Sequence, residues 1–256
     1  MSLIKQQTTG TIPFHFIGSL CDFLPKRIQG QFHYQLLHPT SVKDAIEAMG
    51  VPHVEVECIK VHGKDVPFTY QLKPEDAVIV YPFISHNTFS EVVLRPPLKR
   101  PIKFILDVHL GSLARLLRLA GFDTYYETEA ADAIIAKIAA KEDRVVLTRD
   151  IGLLKHKIIH WGYWIRSQHR EEQFKEVACR FNLWSSFSPF SYCLACNGSI
   201  KSVNKEMVMN LIPSNAALYF HSFFQCQSCQ RVYWKGTHYD RMLETLERLH
   251  NKGNDC

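Results

Sequence analysis

Residues 102–150 read IKFILDVHLGSLARLLRLAGFDTYYETEAADAIIAKIAAKEDRVVLTRD. The short apolar run from Ile102 to Asp107 has the length and composition of a buried strand. GSLARLLRLAG follows with apolar residues at helical spacing, Ser112 in the N-cap position and Gly121 as the stop. FDTYYE reads as a second strand, AADAIIAKIAAK as a helix, and VVLTRD as an apolar strand with polar residues at its end. Beyond residue 150 the pattern continues with a short helix in GLLKHK, a strand in YWIRS and an amphipathic helix in EEQFKEVACRF. Alternating strands and helices joined by short connections imply an α/β fold, a parallel sheet flanked by helices on both faces. Ligand sites in such sheets lie beyond the carboxyl ends of the strands.

Three aspartates fall where that site is expected. Asp107 and Asp150 end their strands, and Asp132 lies in the opening turn of the helix between them. Strand-end carboxylates of a parallel sheet project from one edge, and a crossover helix starts at the same edge, so the three acids can converge. Gathered carboxylates repel and normally need a cation. Hard oxygen ligands suit Mg²⁺ or Mn²⁺, and a metal held this way can activate water and stabilise charge building on a phosphate. Each acid also has a plainer reading: Asp132 as a charge favoured at a helix N-terminus, Asp150 as the N-cap of GLLKHK, Asp107 as a cap on the turn into its helix. Arg115 and Arg118 are three apart and share a helix face. Arg149 directly precedes Asp150, and strand alternation points it away from that carboxylate. These arginines are candidates for phosphate contacts or for ion pairs that hold the helix. Lys155 and Lys157 read as solvated.

VVLRPPLKRP, Val92 to Pro101, is a linker, because Pro96, Pro97 and Pro101 have no N–H to donate and each restricts the residue before it. It sets a boundary near residue 97. Before it, TIPFHFIG, GQFHYQLL, VECIKVHG, VPFTYQL and AVIVYPF read as strands, with Gly63-Lys64 in a turn. SVKDAIEAMG reads as a helix capped by Thr40 or Ser41, with Val42, Ala45, Ile46 and Met49 on one face and Gly50 as the stop. The order β-β-α-β-β predicts a β-grasp domain over residues 1–97. This segment resembles ubiquitin-like sulfur carriers, which act through a free C-terminal Gly-Gly. Here Pro82-Phe83 stands near that place and the chain continues, so a docking or structural module is expected, with a protein as its partner.

Residues 187–256 carry two CxxC pairs, Cys193/Cys196 and Cys226/Cys229. Each pair can fold into a knuckle, Asn197-Gly198 and Gln230-Arg231 fit the knuckle turns, and four thiolates complete a closed tetrahedral site for structural Zn²⁺. Cys21, Cys58, Cys179 and Cys256 have no partners at ligand spacing and read as core or surface thiols. Tyr192, Tyr219, Phe223, Phe224, Tyr233 and Trp234 accompany Lys201, Lys205, Arg231 and Lys235 in this segment. They can form the minimal core of a small metal domain or stack on unpaired bases. HYDRMLETLERLH closes the chain with the first strong helical period of the segment.

Composition sets outer bounds. The 256 residues are 46% hydrophobic and 21% charged, ordinary globular usage that excludes disorder and fibrous repeats. The net charge of +5 is spread along the chain, so it permits a nucleic-acid partner without demanding one. No run approaches the ~18 apolar residues of a membrane span, and MSLIKQQTTG lacks the apolar core of a signal peptide. The expectation is a soluble cytoplasmic protein with cysteines mostly reduced or metal-bound.

DVHLGSLARLLRLAGFDT, then Asp132, then VVLTRDIGLL resembles the Mut-seven C-terminal RNase family, a PIN-like ribonuclease domain. Its pattern is Asp, Leu-Gly, Leu-Ala-Arg-x-Leu-Arg, Gly-aromatic-Asp-Thr, and an acid eighteen residues before the Asp of Leu-Thr-Arg-Asp. Here 150 − 132 gives 18. Members with this layout carry a ubiquitin-like segment in front and a zinc ribbon behind, so the resemblance covers nearly the whole chain: a PIN-like domain over 102–186 between the β-grasp domain and a ribbon with a C-terminal helix over 187–256. It implies metal-dependent RNA cleavage with Asp107, Asp132 and Asp150 as the matching catalytic acids and Arg115, Arg118 and Arg149 near RNA, expected to be single-stranded. WKGTHYDRM also matches a family motif and brings His238 into consideration. Ser112 departs from the basic residue usual after Leu-Gly, and the turn Lys141–Arg144 lacks the usual glycine. Two other readings stay open: a non-catalytic RNA- or ribosome-binding adaptor on the same fold, and a β-grasp protein-interaction scaffold.

Overall fold

The computed structural model describes residues 9–83 and 90–253; residues 1–8, 84–89 and 254–256, Cys256 among them, lie outside the described residues. The first strands show the period-two burial that the sequence predicts. In β1 (Gly10–Phe16), Ile12, Phe14 and Phe16 are buried while Thr11, Pro13 and His15 are exposed. β1 pairs antiparallel with β2 (Gln31–Leu36) and parallel with β5 (Val78–Pro82), which in turn pairs antiparallel with β3 (Val56–Val61). With β4 (Lys64–Asp65) at the far edge the sheet order is β2-β1-β5-β3-β4. The parallel central pair needs a crossover, and α1 (Val42–Ala48) lies on that stretch of chain. It buries Val42, Ala45 and Ile46 in one core with Ile12, Phe14, Val78 and Val80. This is the β-grasp arrangement.

Ser41, one of the two caps expected, is the N-cap of α1, its hydroxyl accepting from the Asp44 N–H at 3.1 Å, while Thr40 bonds to His38. Two details differ from expectation. VPFTYQL is not a strand. Pro67 has no N–H for a ladder, and the neighbouring backbone bonds to the entry of α1, with Val42 N–H to the Tyr70 carbonyl at 2.8 Å and Leu72 N–H to the Thr40 carbonyl at 3.0 Å. His62 and Gly63 both take positive φ, so the tight turn falls on them and Lys64 already belongs to β4.

Past the linker, β6 (Lys103–Leu106) leads through a 3-10 turn, Val108–Leu110, into α2 (Gly111–Ala120). Ser112 is therefore inside the helix, and Asp107 caps the turn that precedes it. α2 stops at Gly121 (φ 96), where an added Cβ would lie 2.0 Å from the Ser188 carbonyl oxygen, so no other residue fits. β7 (Thr124–Tyr126), α3 (Asp132–Glu142) and β8 (Arg144–Thr148) follow. Asp143, at φ 53, ends α3 in the left-handed conformation that the missing glycine would have taken. β6 pairs in parallel with β7 on one side and β8 on the other. Every residue of β8 is buried, as a strand covered on both faces requires.

α4 (Ile151–Leu154), β9 (Gly162–Trp164) and α5 (Arg170–Phe181) come next. The remaining chain forms an antiparallel sheet β10-β11-β12 of Ile200–Val203, Phe223–Cys226 and Val232–Trp234, with the short helices α6 (Lys205–Val208) and α7 (Ser214–Tyr219) between its first two strands and α8 (Thr237–Lys252) after its last. Helices as short as α6 and α7 leave no readable period in sequence. Among the described residues no helix is long and apolar enough to cross a membrane.

The chain divides into two compact units. One joins Met1–Leu98 with Asp150–Trp164, and the other joins Lys99–Arg149 with Ile165–Cys256. Within the first, polar links hold the later segment. His53 bonds the Ile159 carbonyl through Nε2 at 2.9 Å and Glu47 through Nδ1 at 2.6 Å. Lys155 donates to the Glu47 carbonyl at 2.8 Å, so it is not the solvated lysine expected. Trp161 Nε1 donates to the Pro96 carbonyl at 3.0 Å, with Arg95 stacked 4.7 Å from the Trp161 ring. The buried Glu55 carboxylate accepts the Trp164 N–H at 2.8 Å. Glu55→Ala is expected to cost about 1–3 kcal/mol, the penalty of a donor left unpaired, and to speed hydrogen exchange at the Trp164 amide. Glu55→Gln keeps a carbonyl acceptor and should lose much less. Unchanged exchange at Trp164 in Glu55→Ala would refute this role for the carboxylate.

Candidate functional site

Parallel pairing of β6 with β8 matches Leu106 to Leu147, so the next residues, Asp107 and Thr148, stand side by side at the carboxyl edge of the sheet. Asp107 is buried. One carboxylate oxygen accepts the Val108 N–H at 2.5 Å, and the other accepts the Thr148 hydroxyl at 2.8 Å. Thr148 is fully buried and was not singled out in the sequence, although it sits in the Leu-Thr-Arg-Asp motif. Asp132 opens α3 and is exposed. Asp150 is exposed and caps α4, its Oδ1 accepting the Gly152 N–H at 2.7 Å. The capping readings of Asp107 and Asp150 thus hold. They do not use up the carboxylates, because each oxygen has two lone pairs.

The arginines separate by environment. Arg115 and Arg149 are exposed. Arg118, expected near RNA, is buried: Nε donates to the Thr124 carbonyl at 2.9 Å and Nη1 to the carbonyls of Leu194 and Ala195 at 3.2 and 3.0 Å. Burial pushes its pKa down, against the pull of the nearby Cys193 and Cys196 sulfurs. It shares a helix face with Arg115 loosely enough that one points to solvent and the other under the first cysteine knuckle. Asp123, from the Gly-aromatic-Asp-Thr motif, receives Arg144 at 2.7 and 3.3 Å and Asn197 Nδ2 at 2.7 Å. Burial works against the charge on Arg144, but Asp123 and Glu142 outweigh it and raise its pKa.

The four cysteines meet as their spacing predicts. Among the described residues they form the one group of three or more metal-binding side chains whose ligand atoms all lie within 4.8 Å of one another. Cys193 approaches Cys229 at 3.6 Å and Cys196 approaches Cys226 at 3.4 Å. Sulfurs 2.3 Å from a tetrahedral zinc stand about 3.8 Å apart, so the cluster has room for one ion. Asn197 and Gln230 take positive φ after their pairs, and each donates its N–H back to the first cysteine's carbonyl at 2.9 and 3.1 Å, closing both knuckles. Gly198 lies so close to Ser228 and Cys226 Sγ that an added Cβ would meet them at 2.4 and 2.8 Å. Burial raises the Cys193 thiol, but hydrogen bonds from Tyr233 and from the Cys196 and Ala195 backbone outweigh it and bring it down to about 6. Burial pushes Cys196 up to about 12. Of the other cysteines, Cys21 is half-buried and Cys58 buried, both as free thiols, while Cys179 is disulfide-bonded rather than the lone thiol expected.

The family model of the Mut7-C RNAse domain matches residues 102–246, and that of the Mut7-C ubiquitin segment matches residues 9–88. No curated protein and no solved structure matches the chain. The first match spans more than half of the chain and contains the parallel sheet, the three acids and the cysteine cluster; the second contains the β-grasp sheet. The chain belongs to the Mut7-C RNAse domain family and carries that family's ubiquitin-like segment in front.

Proposed function

We propose that this chain is a metal-dependent ribonuclease that hydrolyses RNA phosphodiester bonds with Asp107, Asp132 and Asp150 as ligands of Mg²⁺ or Mn²⁺. The observation that carries the reading is Asp107 at the carboxyl edge of a parallel sheet, buried and oriented by Thr148 and the Val108 N–H, inside a matched RNase domain. Two donated hydrogen bonds fix the direction of the carboxylate, while its remaining lone pairs stay available to a cation. Asp132 supplies a second carboxylate from the start of α3, where the helix dipole favours negative charge. Asp150 supplies the third, steadied by the Gly152 N–H. A divalent metal bound there would activate water and neutralise charge building on the phosphate. Exposed Arg115 and Arg149 would hold the RNA backbone through bidentate contacts. In this reading the four cysteines hold structural Zn²⁺, which has no open position for water and takes no part in cleavage. The β-grasp segment is read as a docking module for a protein partner.

Purified protein should carry about one zinc per chain, as a Cys₄ site binds one ion, and Cys226→Ser should release it with loss of folded ribbon. Elemental analysis that finds no zinc in protein purified without chelator would contradict the assignment. Asp150→Asn removes one charge at nearly constant shape. It should abolish Mn²⁺- or Mg²⁺-dependent cleavage of single-stranded RNA and leave RNA binding intact or slightly tighter, because the carboxylate contributes most in the transition state. Cleavage that persists unchanged in Asp150→Asn would reject the acid site. Failure of the wild type to cleave any of a broad set of cellular RNAs, while still binding them, would favour the adaptor.

A further inference from the structure

Three neighbouring cavities lie around the start of α8. The first, of 450 Å³, is lined by Arg115 of α2, Arg170 at the start of α5, and His238 and Arg241 of α8, with no carboxylate in its wall. Among the described residues the guanidinium groups of Arg115, Arg170 and Arg241 make no ion pair or hydrogen bond; Arg241 takes the Thr245 hydroxyl only on its backbone carbonyl. Three guanidinium groups turned to one cavity without a counter-charge repel one another, and an anion with several acceptor oxygens relieves that repulsion. The second cavity, of 320 Å³, shares His238 with the first and is walled by Phe190, Phe220, Trp234 and Tyr239. Phe190 and Tyr239 are stacked there at 4.3 Å. The third, of 340 Å³, shares Phe190, Trp234 and Tyr239 with the second and adds Phe224 and Lys235. Lys235 lies 5.9 Å from each of the Phe224 and Tyr239 rings. A basic cavity thus passes into two aromatic ones, each of a size that admits a small planar ring.

We propose that these cavities form a groove for single-stranded RNA, with a backbone phosphate among Arg115, Arg170 and Arg241 and unpaired bases against Trp234 and Tyr239. The inference rests on RNA as the substrate proposed above and gives it a binding surface. Phosphate contacts position a strand, and aromatic faces take bases only when those bases are unpaired, which selects single strands over A-form duplex. Ser112, also in the wall of the basic cavity, follows Asp107 by five residues, so the groove begins on the helix that leads away from that carboxylate. A strand lying in it would bring its next phosphates toward the acid edge. Trp234, His238, Tyr239 and Arg241 all lie in the WKGTHYDRM segment, and only the tertiary structure brings Arg170 beside them.

The test measures binding of a labelled single-stranded RNA of about ten nucleotides to the full-length, zinc-loaded protein without added Mg²⁺ or Mn²⁺. Arg170→Ala and Arg241→Ala, both at exposed positions, are each expected to weaken binding about tenfold and to flatten the slope of log affinity against log salt by about 0.7. Trp234→Ala should weaken binding by a similar factor with the salt slope unchanged, because stacking releases no counterion. Zinc content and circular dichroism of each variant separate these losses from misfolding, and Trp234→Phe, which keeps an aromatic face, should recover most of the affinity. The same strand with and without a 5′-phosphate should bind alike; a preference for the phosphorylated end that Arg241→Ala removes would replace the internal phosphate with a terminal one and overturn the groove. Wild-type affinity and salt slope in both arginine variants, or duplex binding as tight as the single strand, would also overturn it. Binding is read without the catalytic metal, so a protein that binds in this way and never cleaves would reject the nuclease reading alone.

Discussion

The Asp123 carboxylate is the junction on which the RNase unit depends. It sits at the mouth of β7, takes the guanidinium of Arg144 from the head of β8, and takes the amide of Asn197 from the turn of the first cysteine knuckle. Asn197 returns its carbonyl oxygen to the Thr124 N–H at 2.8 Å. Arg144 also reaches the Phe104 carbonyl of β6 at 3.1 Å, so one ion pair fastens three parallel strands at their amino ends and ties the ribbon to them. Arg118 repeats the link from α2. The guanidinium of Arg144 is buried and Asp123 half-buried, so removing either partner leaves a largely covered charge unpaired. Their value here is positional: the knuckle, and the ribbon strands beyond it, are set against a rigid sheet.

The four cysteine sulfurs lie within 4.8 Å of one another and join the two knuckles, with Cys193 and Cys226 buried. Only two residues separate β12 from α8, which so inherits the order of the ribbon. Arg241 and His238 reach the cavity of Arg115 because the knuckle, the ribbon sheet and α2 are connected by buried hydrogen bonds.

Asp150–Trp164 continues directly from the last RNase strand, yet it belongs to the unit of the β-grasp sheet. Glu55 and His53, just before β3, and Arg95 of the linker hold it through Trp164, Ile159 and Trp161. A ubiquitin-like segment that lacks a carrier's free glycine tail thereby has a structural duty. It orders the chain that starts with the third acid. Phe83 bonds back to the Glu55 carbonyl at 3.1 Å, so the end of β5 is itself part of this packing.

Much was determined by the sequence. Period-two burial in β1, the wholly apolar VVL of β8, the stop at Gly121 and the two CxxC pairs are local signals, each expressed within about ten residues, and the strands, helices and cysteine knuckles follow from them. Strand-end and helix-start placement made Asp107, Asp132 and Asp150 the candidate acids, and the eighteen-residue spacing of the last two carried the family resemblance. What only the tertiary structure decided involves partners far apart along the chain. Arg115 and Arg118 look alike in sequence, but only Arg118 is covered by carbonyls 76 and 77 residues away. VPFTYQL has a strand's composition and loses its ladder to the entry of α1. The attachment of Asp150–Trp164 to the β-grasp sheet, and the meeting of Arg115, Arg170 and Arg241 in one cavity, have no local trace. Periodicity records that a face is to be buried or charged; which distant surface covers it is settled by packing and by the pairing of buried polar groups.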